Sequence, residues 1–320
     1  MSHDWADKTA QQLLDRGLLS AEGGGICLIL GAVDTGKTTL ALALAKRLAT
    51  TAAGGVGIID ADVGQSHIGP PATVGWAVID PDLSGQVELS QLAVAGIAFV
   101  GDVTPVGHLL QLTAGLAQGA EALSRVTEMI IIDTPGFIRG PAAAALWWTV
   151  HQILKPGLIL AVQRSDEVSD ILVGLKTFSC RLEQIHCPLD IPVKSPPERR
   201  RYRQSQFNRY FRDSRHYNIN VTDMAVQASC RLSSAQHRVE GANPATNCGA
   251  KYSACGFTAG LVNRLVGLRD EKGGDVAIGV ITDVQQDGKI VVVKAPPLDV
   301  GQIRCLVVGD ITADIAGAAG

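Results

Sequence analysis

The sequence predicts an α/β chain: a doubly wound parallel sheet with helices on both faces, then a small C-terminal mainly-β domain. Three observations carry that prediction. First, short apolar runs recur along the chain: "ICLIL" (26–30), "VGIID" (56–60), "GIAFVGD" (96–102), "MIIID" (129–133) and "LILAV" (158–162). Strands apolar at every position are buried on both faces, the mark of a parallel sheet covered by helices. Second, helix-like segments near 36–49, 106–125 and 141–154 separate the runs, in the alternation that a doubly wound sheet requires. Third, after Gly260 come the alternating runs "VAIGVITDV" and "KIVVVKA", divided by "QQDG". An Asp-Gly pair between alternating strands signals a hairpin.

Residues 4–20 read as an amphipathic helix with Leu13, Leu14 and Leu18 on one side, closed by the glycines at 23–25. The expected division is an N-terminal helix (1–25), an α/β domain (26–212) and the C-terminal domain (213–320), with 227–256 polar and loop-like. Hydrophobic residues make up 46%, enough for a sizeable core, and the net charge of −3 rules out a globally basic nucleic-acid footprint. Any such footprint must be local. No stretch of ~18 uninterrupted apolar residues suggests a membrane span, and the acidic N-terminus lacks the apolar region of a signal peptide. The seven cysteines contain no C-x-x-C pair, which points to reduced thiols in a cytoplasmic protein rather than a zinc site.

"GAVDTGKT", Gly31 to Thr38, matches G-x-x-x-x-G-K-[ST] in full, with an apolar strand entering and an Ala/Leu-rich helix leaving. This is the P-loop NTPase arrangement. Its glycines let successive backbone N–H groups turn onto phosphates at the positive end of a helix. Gly31, Asp34, Thr35, Gly36, Lys37, Thr38 and Thr39 are the expected ATP-binding residues, with Lys37 reaching the β- and γ-phosphates. The Thr38 hydroxyl and Asp133, at the end of "IIIDTPG", are the expected Mg²⁺ ligands, joined by Asp60.

Where the phosphate goes is decided elsewhere. "DTPG" also occurs in GTPase switches, but the guanine-reading N-K-x-D is missing: "AVQRSDE" (161–167) stands in its place. A P-loop ATPase or GTPase switch, or an assembly factor, is the alternative reading; a small-molecule kinase is a third. "IIDADVGQS" (58–66) ends its strand with Asp60 and Asp62, two residues apart and hence on one side. A switch needs one metal-linked acid; a kinase also needs an acid to orient and deprotonate a hydroxyl. Downstream, "SPPERRRYRQSQFNRYFRDSR" opens with a capping box, Ser195 and Glu198, and Pro196 at the first helical position. At 100° per residue, Arg199, Arg200 and Arg203 share an arc with Tyr202, Phe207, Tyr210 and Phe211, and Arg201, Arg209, Arg212 and Arg215 lie opposite. A solvated charge run would scatter them all outward. Arginines on the inner arc suit a lid that clamps transferring phosphoryl groups, and the outer set could follow a nucleic-acid backbone.

These segments together, "GAVDTGKTTL", "DADVGQS", "FVGDVTP", "IIDTPGFIRG", the arginine run before "YF" and "GLVNRLVGL", resemble the P-loop polynucleotide 5′-hydroxyl kinases. That group contains the kinase subunit of the eukaryotic pre-mRNA cleavage complex and its ribosomal-RNA-processing relative. The resemblance runs from about residue 26 to the C-terminus. It implies transfer of the γ-phosphate of ATP to the 5′-hydroxyl end of RNA or DNA, in RNA processing or nucleic-acid repair. It assigns Asp62 the activation of that hydroxyl, places Gln65 near the substrate and sets Thr134 and Phe137 against the terminal nucleotide. Arg199, Arg200 and Arg203 cover the positions of the lid arginines. Three departures stand out: Phe137 replaces the usual Trp, Asp133 stands where some members carry no acid, and only about 25 residues precede the first strand, where eukaryotic members carry a β-domain that helps hold the adenine. Trp147, Trp148, His151 and His186 read as packing or surface residues, and His108 as a residue at the crevice end of a strand.

Overall fold

The computed structural model describes residues 2–20, 24–52, 54–83, 88–222, 224–228, 261–285 and 289–312. Most of the expected 227–256 loop and the Asp287–Gly288 turn lie outside them. In chain order the elements are α1 (Ser2–Asp15), β1 (Gly25–Gly31), α2 (Lys37–Ala49), β2 (Val56–Asp60), β3 (Thr73–Ile79), β4 (Gly96–Phe99), α3 (Leu109–Ser124), β5 (Met129–Asp133), α4 (Pro141–Leu154), β6 (Leu158–Gln163), α5 (Ser169–Leu175), β7 (Arg181–His186) and α6 (Pro196–Tyr210). The C-terminal part follows as β8 (Arg215–Asn220), β9 (Ala225–Ala228), β10 (Arg264–Arg269), β11 (Asp275–Gln285), β12 (Ile290–Ala295) and β13 (Cys305–Thr312). No helix among the described residues is long and apolar enough to cross a membrane.

The strands run β7-β6-β1-β5-β2-β3-β4, continuing to β11-β10-β13-β9, with β12 between β11 and β8. From β7 to β2 all neighbours are parallel. Strand alternation explains the continuous apolar runs. Cys27 and Ile29 of β1 pack under α1 and α2, whereas Leu28 and Leu30 join a second core with α3 and α4. Each wholly buried Leu or Ile contributes roughly 1.5–3 kcal/mol of transfer free energy, so both faces hold the helices firmly. The parallel C-terminal strand ends bring Gly31, Asp60 and Asp133 to one edge, Asp60 and Asp133 in register.

One strand departs from the expected all-parallel pattern. β3 pairs antiparallel with both β2 and β4, so the sheet is mixed beyond β2. Gly75 in β3 is where the 60–72 loop folds back: a Cβ there would lie 1.9 Å from the Ile68 carbonyl oxygen. Polar β7 closes the other edge, and its Glu183 holds Arg16 beyond α1. The C-terminal strands enclose their own core around Ile219, Val266, Ile281, Val293 and Leu306. They join the main sheet at one register pair, Ile97 with Asp275. The buried Asp275 carboxylate accepts from the Phe99 N–H at 2.7 Å and from Arg269 at 3.0 Å. As expected, β11 and β12 form an antiparallel pair across the Asp-Gly segment.

Candidate active site

The phosphate loop is shaped by backbone that few side chains tolerate. Asp34 (φ 58°) and Gly36 (φ 85°) are left-handed, which aims neighbouring N–H groups into one concavity. Gly31 must be glycine, since a Cβ would meet the Val162 carbonyl oxygen at 2.3 Å. Lys37 is buried and donates to the Ala32 carbonyl at 2.7 Å. Burial pushes its pKa down, opposed by Asp133, Asp62 and Asp34. Thr35 is wholly buried and its hydroxyl also donates to Ala32, so only its backbone faces a ligand. Thr39 lines the cleft.

Three carboxylates stand around this loop in different roles. The Thr38 hydroxyl donates to Asp133 Oδ2 at 2.5 Å, and Asp133 Oδ1 is buried without a hydrogen bond. A hydroxyl beside an orphaned carboxylate oxygen fits a divalent cation. Asp60 does not fit the metal role expected of it. Its Oδ1 accepts from the Asp62 N–H and its Oδ2 from the N–H groups of His67 and Ile68, so it is the post around which residues 62–68 fold. Burial, then the charge of Asp60, holds the Asp133 carboxyl above its ordinary pKa, and burial does the same to Asp60.

Asp62 sits at the rim. Its Oδ1 accepts from the N–H groups of Gly64 and Gln65, closing a tight turn. Its Oδ2 has no partner among the described residues. Asp62, Gln65 and His67 line one cleft with Lys37, Thr38 and Lys194, of about 340 Å³. Thr134 does not reach it: the side chain is wholly buried and its hydroxyl donates to the Ile29 carbonyl at 2.7 Å. Phe137 packs its half-buried ring on the second core, while its carbonyl accepts from Trp147 Nε1.

The basic segment forms α6, capped as expected, with Glu198 accepting from both the N–H and the hydroxyl of Ser195. Arg199 lies on the phosphate loop, donating to Asp34 Oδ2 at 2.6 Å. Arg203 is half-buried, its pKa lowered by burial and then by Arg200 and Arg199, and raised by Asp62 and Asp102. Arg200 is exposed and makes no hydrogen bond or ion pair among the described residues. Arg209, expected to face outward, is exposed and donates to the Ser90 carbonyl.

Residues not singled out from the sequence complete the site. Lys194 gives its N–H to Asp34 Oδ2, its ammonium to Gln65 Oε1 at 2.9 Å, and lies 5.3 Å over the Tyr202 ring. Arg164, in the segment that lacks N-K-x-D, donates to the Asp34 carbonyl. Trp5 of α1 stands at the loop's outer lip, its ring 2.9 Å from where a Gly36 Cβ would be. A larger cavity of about 630 Å³ lies between α1 and β7. It contains no residue of the phosphate loop and none of the carboxylates just described.

Residues 31–213 match the mRNA cleavage and polyadenylation factor CLP1 P-loop family. The chain belongs to that family. It is 36% identical over 201 residues to the polyribonucleotide 5′-hydroxyl-kinase of Pyrococcus horikoshii, a match covering 62% of this chain and 53% of that protein. Against the polyribonucleotide 5′-hydroxyl-kinase of Pyrococcus furiosus it is 26% identical over 316 residues, covering 90% and 87% of the two chains. The chain spans about half the length of the Pyrococcus horikoshii relative and of a second from Pyrococcus abyssi. A solved Clp1p–Pcf11p complex superposes with a TM-score of 0.67 over 97% of this chain and 79% of that one, at 12% identity. That likeness establishes the same P-loop fold with its C-terminal antiparallel strands.

Proposed function

We propose that this chain is an ATP-dependent polynucleotide 5′-hydroxyl kinase acting on RNA ends. The observation that carries the proposal is the open Asp62 Oδ2, in one cleft with Lys37 and Thr38 and beneath a basic lid. An acceptor hydroxyl placed there attacks the γ-phosphorus in line. One P–O bond forms, the bond from γ-phosphorus to the β,γ-bridging oxygen breaks, the hydroxyl proton passes to Asp62, and ADP leaves. Lys37 neutralises the phosphates, and Arg199 and Arg203, with Arg200 free to swing in, add charge over the transferring group. Thr38 and Asp133 suit a Mg²⁺ ion, which supplies charge neutralisation on the β- and γ-phosphates when bound. Gln65, fixed by Lys194, orients the acceptor, and Trp5 offers the nucleotide base an aromatic face.

The relatives named polyribonucleotide 5′-hydroxyl-kinase support the acceptor class. The missing N-K-x-D supports ATP over GTP. The test uses γ-labelled ATP, Mg²⁺ and short 5′-hydroxyl RNA and DNA, with 5′-phosphorylated strands as controls. Label is expected on 5′-hydroxyl RNA, reduced ~10²–10⁴-fold by Asp62→Asn and abolished by Lys37→Ala. ATP hydrolysis without labelled strand would instead make the chain a switch; label on DNA alone would reassign the acceptor.

A further inference from the structure

Away from the cleft, Asp102, His108 and Asp310 meet across a junction that brings sequence-distant segments together. The first two belong to the loop "GDVTPVGH" between β4 and α3; the third lies in β13. Gly101 (φ 98°) turns the chain there, and its carbonyl accepts from the Asp310 N–H at 2.9 Å. Gly309 permits the approach, since a Cβ on it would lie 2.6 Å from that same carbonyl oxygen. Asp102 Oδ1 takes the Val103 N–H, which leaves Oδ2 towards the imidazole.

His108 is wholly buried, and neither ring nitrogen makes a hydrogen bond. Its Nε2 faces Asp310 Oδ2 at 3.1 Å and Asp102 Oδ2 at 3.8 Å. One ligand atom from each residue falls within 4.8 Å of the others. The Nε2 of this buried imidazole has only the two carboxylates beside it, with no hydrogen bond to satisfy it, which is the condition of a ligand nitrogen waiting for an ion. Donors about 3–4 Å apart are what surround one ion at bond lengths of ~2.0–2.2 Å. The carboxylates are 16% and 10% exposed, so the cluster is open on one side for entry and for completing water ligands.

We infer that Asp102, His108 and Asp310 form a binding site for a divalent transition-metal ion of the zinc or manganese class, separate from the phosphate-loop cation. One imidazole with two carboxylates selects that class: all-oxygen sites suit magnesium and calcium, and thiolates suit copper(I). The ion's role is structural. It fastens β13 to the β4–α3 loop, and that loop bears on the acceptor loop at Gly64, where a Cβ would meet the Val103 carbonyl oxygen at 2.9 Å.

Cobalt(II) is the probe. The full chain, stripped with chelator and nucleotide-free, is titrated with Co²⁺ in excess Mg²⁺, following visible d–d absorption and melting temperature. Wild type is expected to bind one Co²⁺ per chain with a raised Tm. Asp102→Asn, at the half-open edge where folding is least threatened, should weaken binding by more than ~10-fold, as should His108→Gln. Asp133→Asn should leave it unchanged. No saturable Co²⁺ binding by wild type overturns the site, as does binding that survives Asp102→Asn but is lost with Asp133→Asn.

Discussion

The two ends of α6 are held by different physics. Its root is packed: Phe207 and Phe211 are 7% and 3% exposed, in a cluster with Phe99, Leu265, Ile278 and Val307. The Tyr210 hydroxyl there accepts from the Ile278 N–H. Its tip is charged: Arg199 rests on Asp34 while remaining about a quarter exposed. Apolar burial gives ~1.5–3 kcal/mol per large side chain; ion pairs open to water give ~1 kcal/mol or less and trade partners freely. The arrangement teaches how a lid can be both anchored and exchangeable. The root fixes where the arginines are, and the tip can pass Arg199 from a carboxylate to a phosphate without repacking anything.

Breaking the root should have the largest effect. Phe207→Ala is expected to cost ~3–5 kcal/mol in denaturant unfolding, and a cost near zero would show that the seam does not hold the helix. Arg199→Ala should do the reverse, changing stability by less than ~1 kcal/mol while lowering kcat ~10–100-fold. Steady-state kinetics beside a melting curve separates the two; equal losses in both would erase the distinction between tip and root.

A third test concerns the floor beneath the tip. Asp133 and Asp60 bind protons more tightly folded than unfolded, because burial opposes their charge and a neighbouring carboxylate adds to that, Asp60 beside Asp133 and Asp62 beside Asp60. The nucleotide-free protein should therefore gain stability as pH falls from neutral towards the ordinary carboxylate range near ~4, and lose it as pH rises. Tm at about pH 6 should exceed that at about pH 8, by an amount that shrinks with Mg²⁺, since a bound cation favours the ionised pair. A Tm that instead rises with pH would show that the pair is already ionised. The smallest expected effect is at the lip: Trp5→Ala should raise KM for ATP about threefold, ~0.65 kcal/mol, with kcat unchanged. A fall in kcat alone would place Trp5 in the chemistry rather than in binding.

What the sequence made legible follows from how local each cause is. The P-loop, the apolar strands and the Ser195–Glu198 box depend on neighbours in the chain, so their patterns show. β3, "TVGWAVI", was hidden because an antiparallel return strand buried on both faces carries no signature of direction. β7, "RLEQIH", was hidden because an edge strand can be polar. The site shows the same limit. Asp62 and Lys37 were readable from motif position, but the carboxylate of Asp60 is consumed by N–H groups up to eight residues on. Lys194 reaches Gln65 across 129 residues, which no local pattern encodes.

Gly75 gives the fold a last consequence. The loop carrying Asp62 and Gln65 rests where β3 has no side chain, with the Ile68 carbonyl in the space a methyl group would fill. Gly75→Ala would therefore act as a lever rather than as damage to a sheet. The strand is held by its neighbours on both sides, so displacement falls on the loop and carries the acceptor carboxylate away from the phosphates. In the ledger of tolerated variation, a silent-looking strand position would score as an active-site residue while touching neither nucleotide nor acceptor.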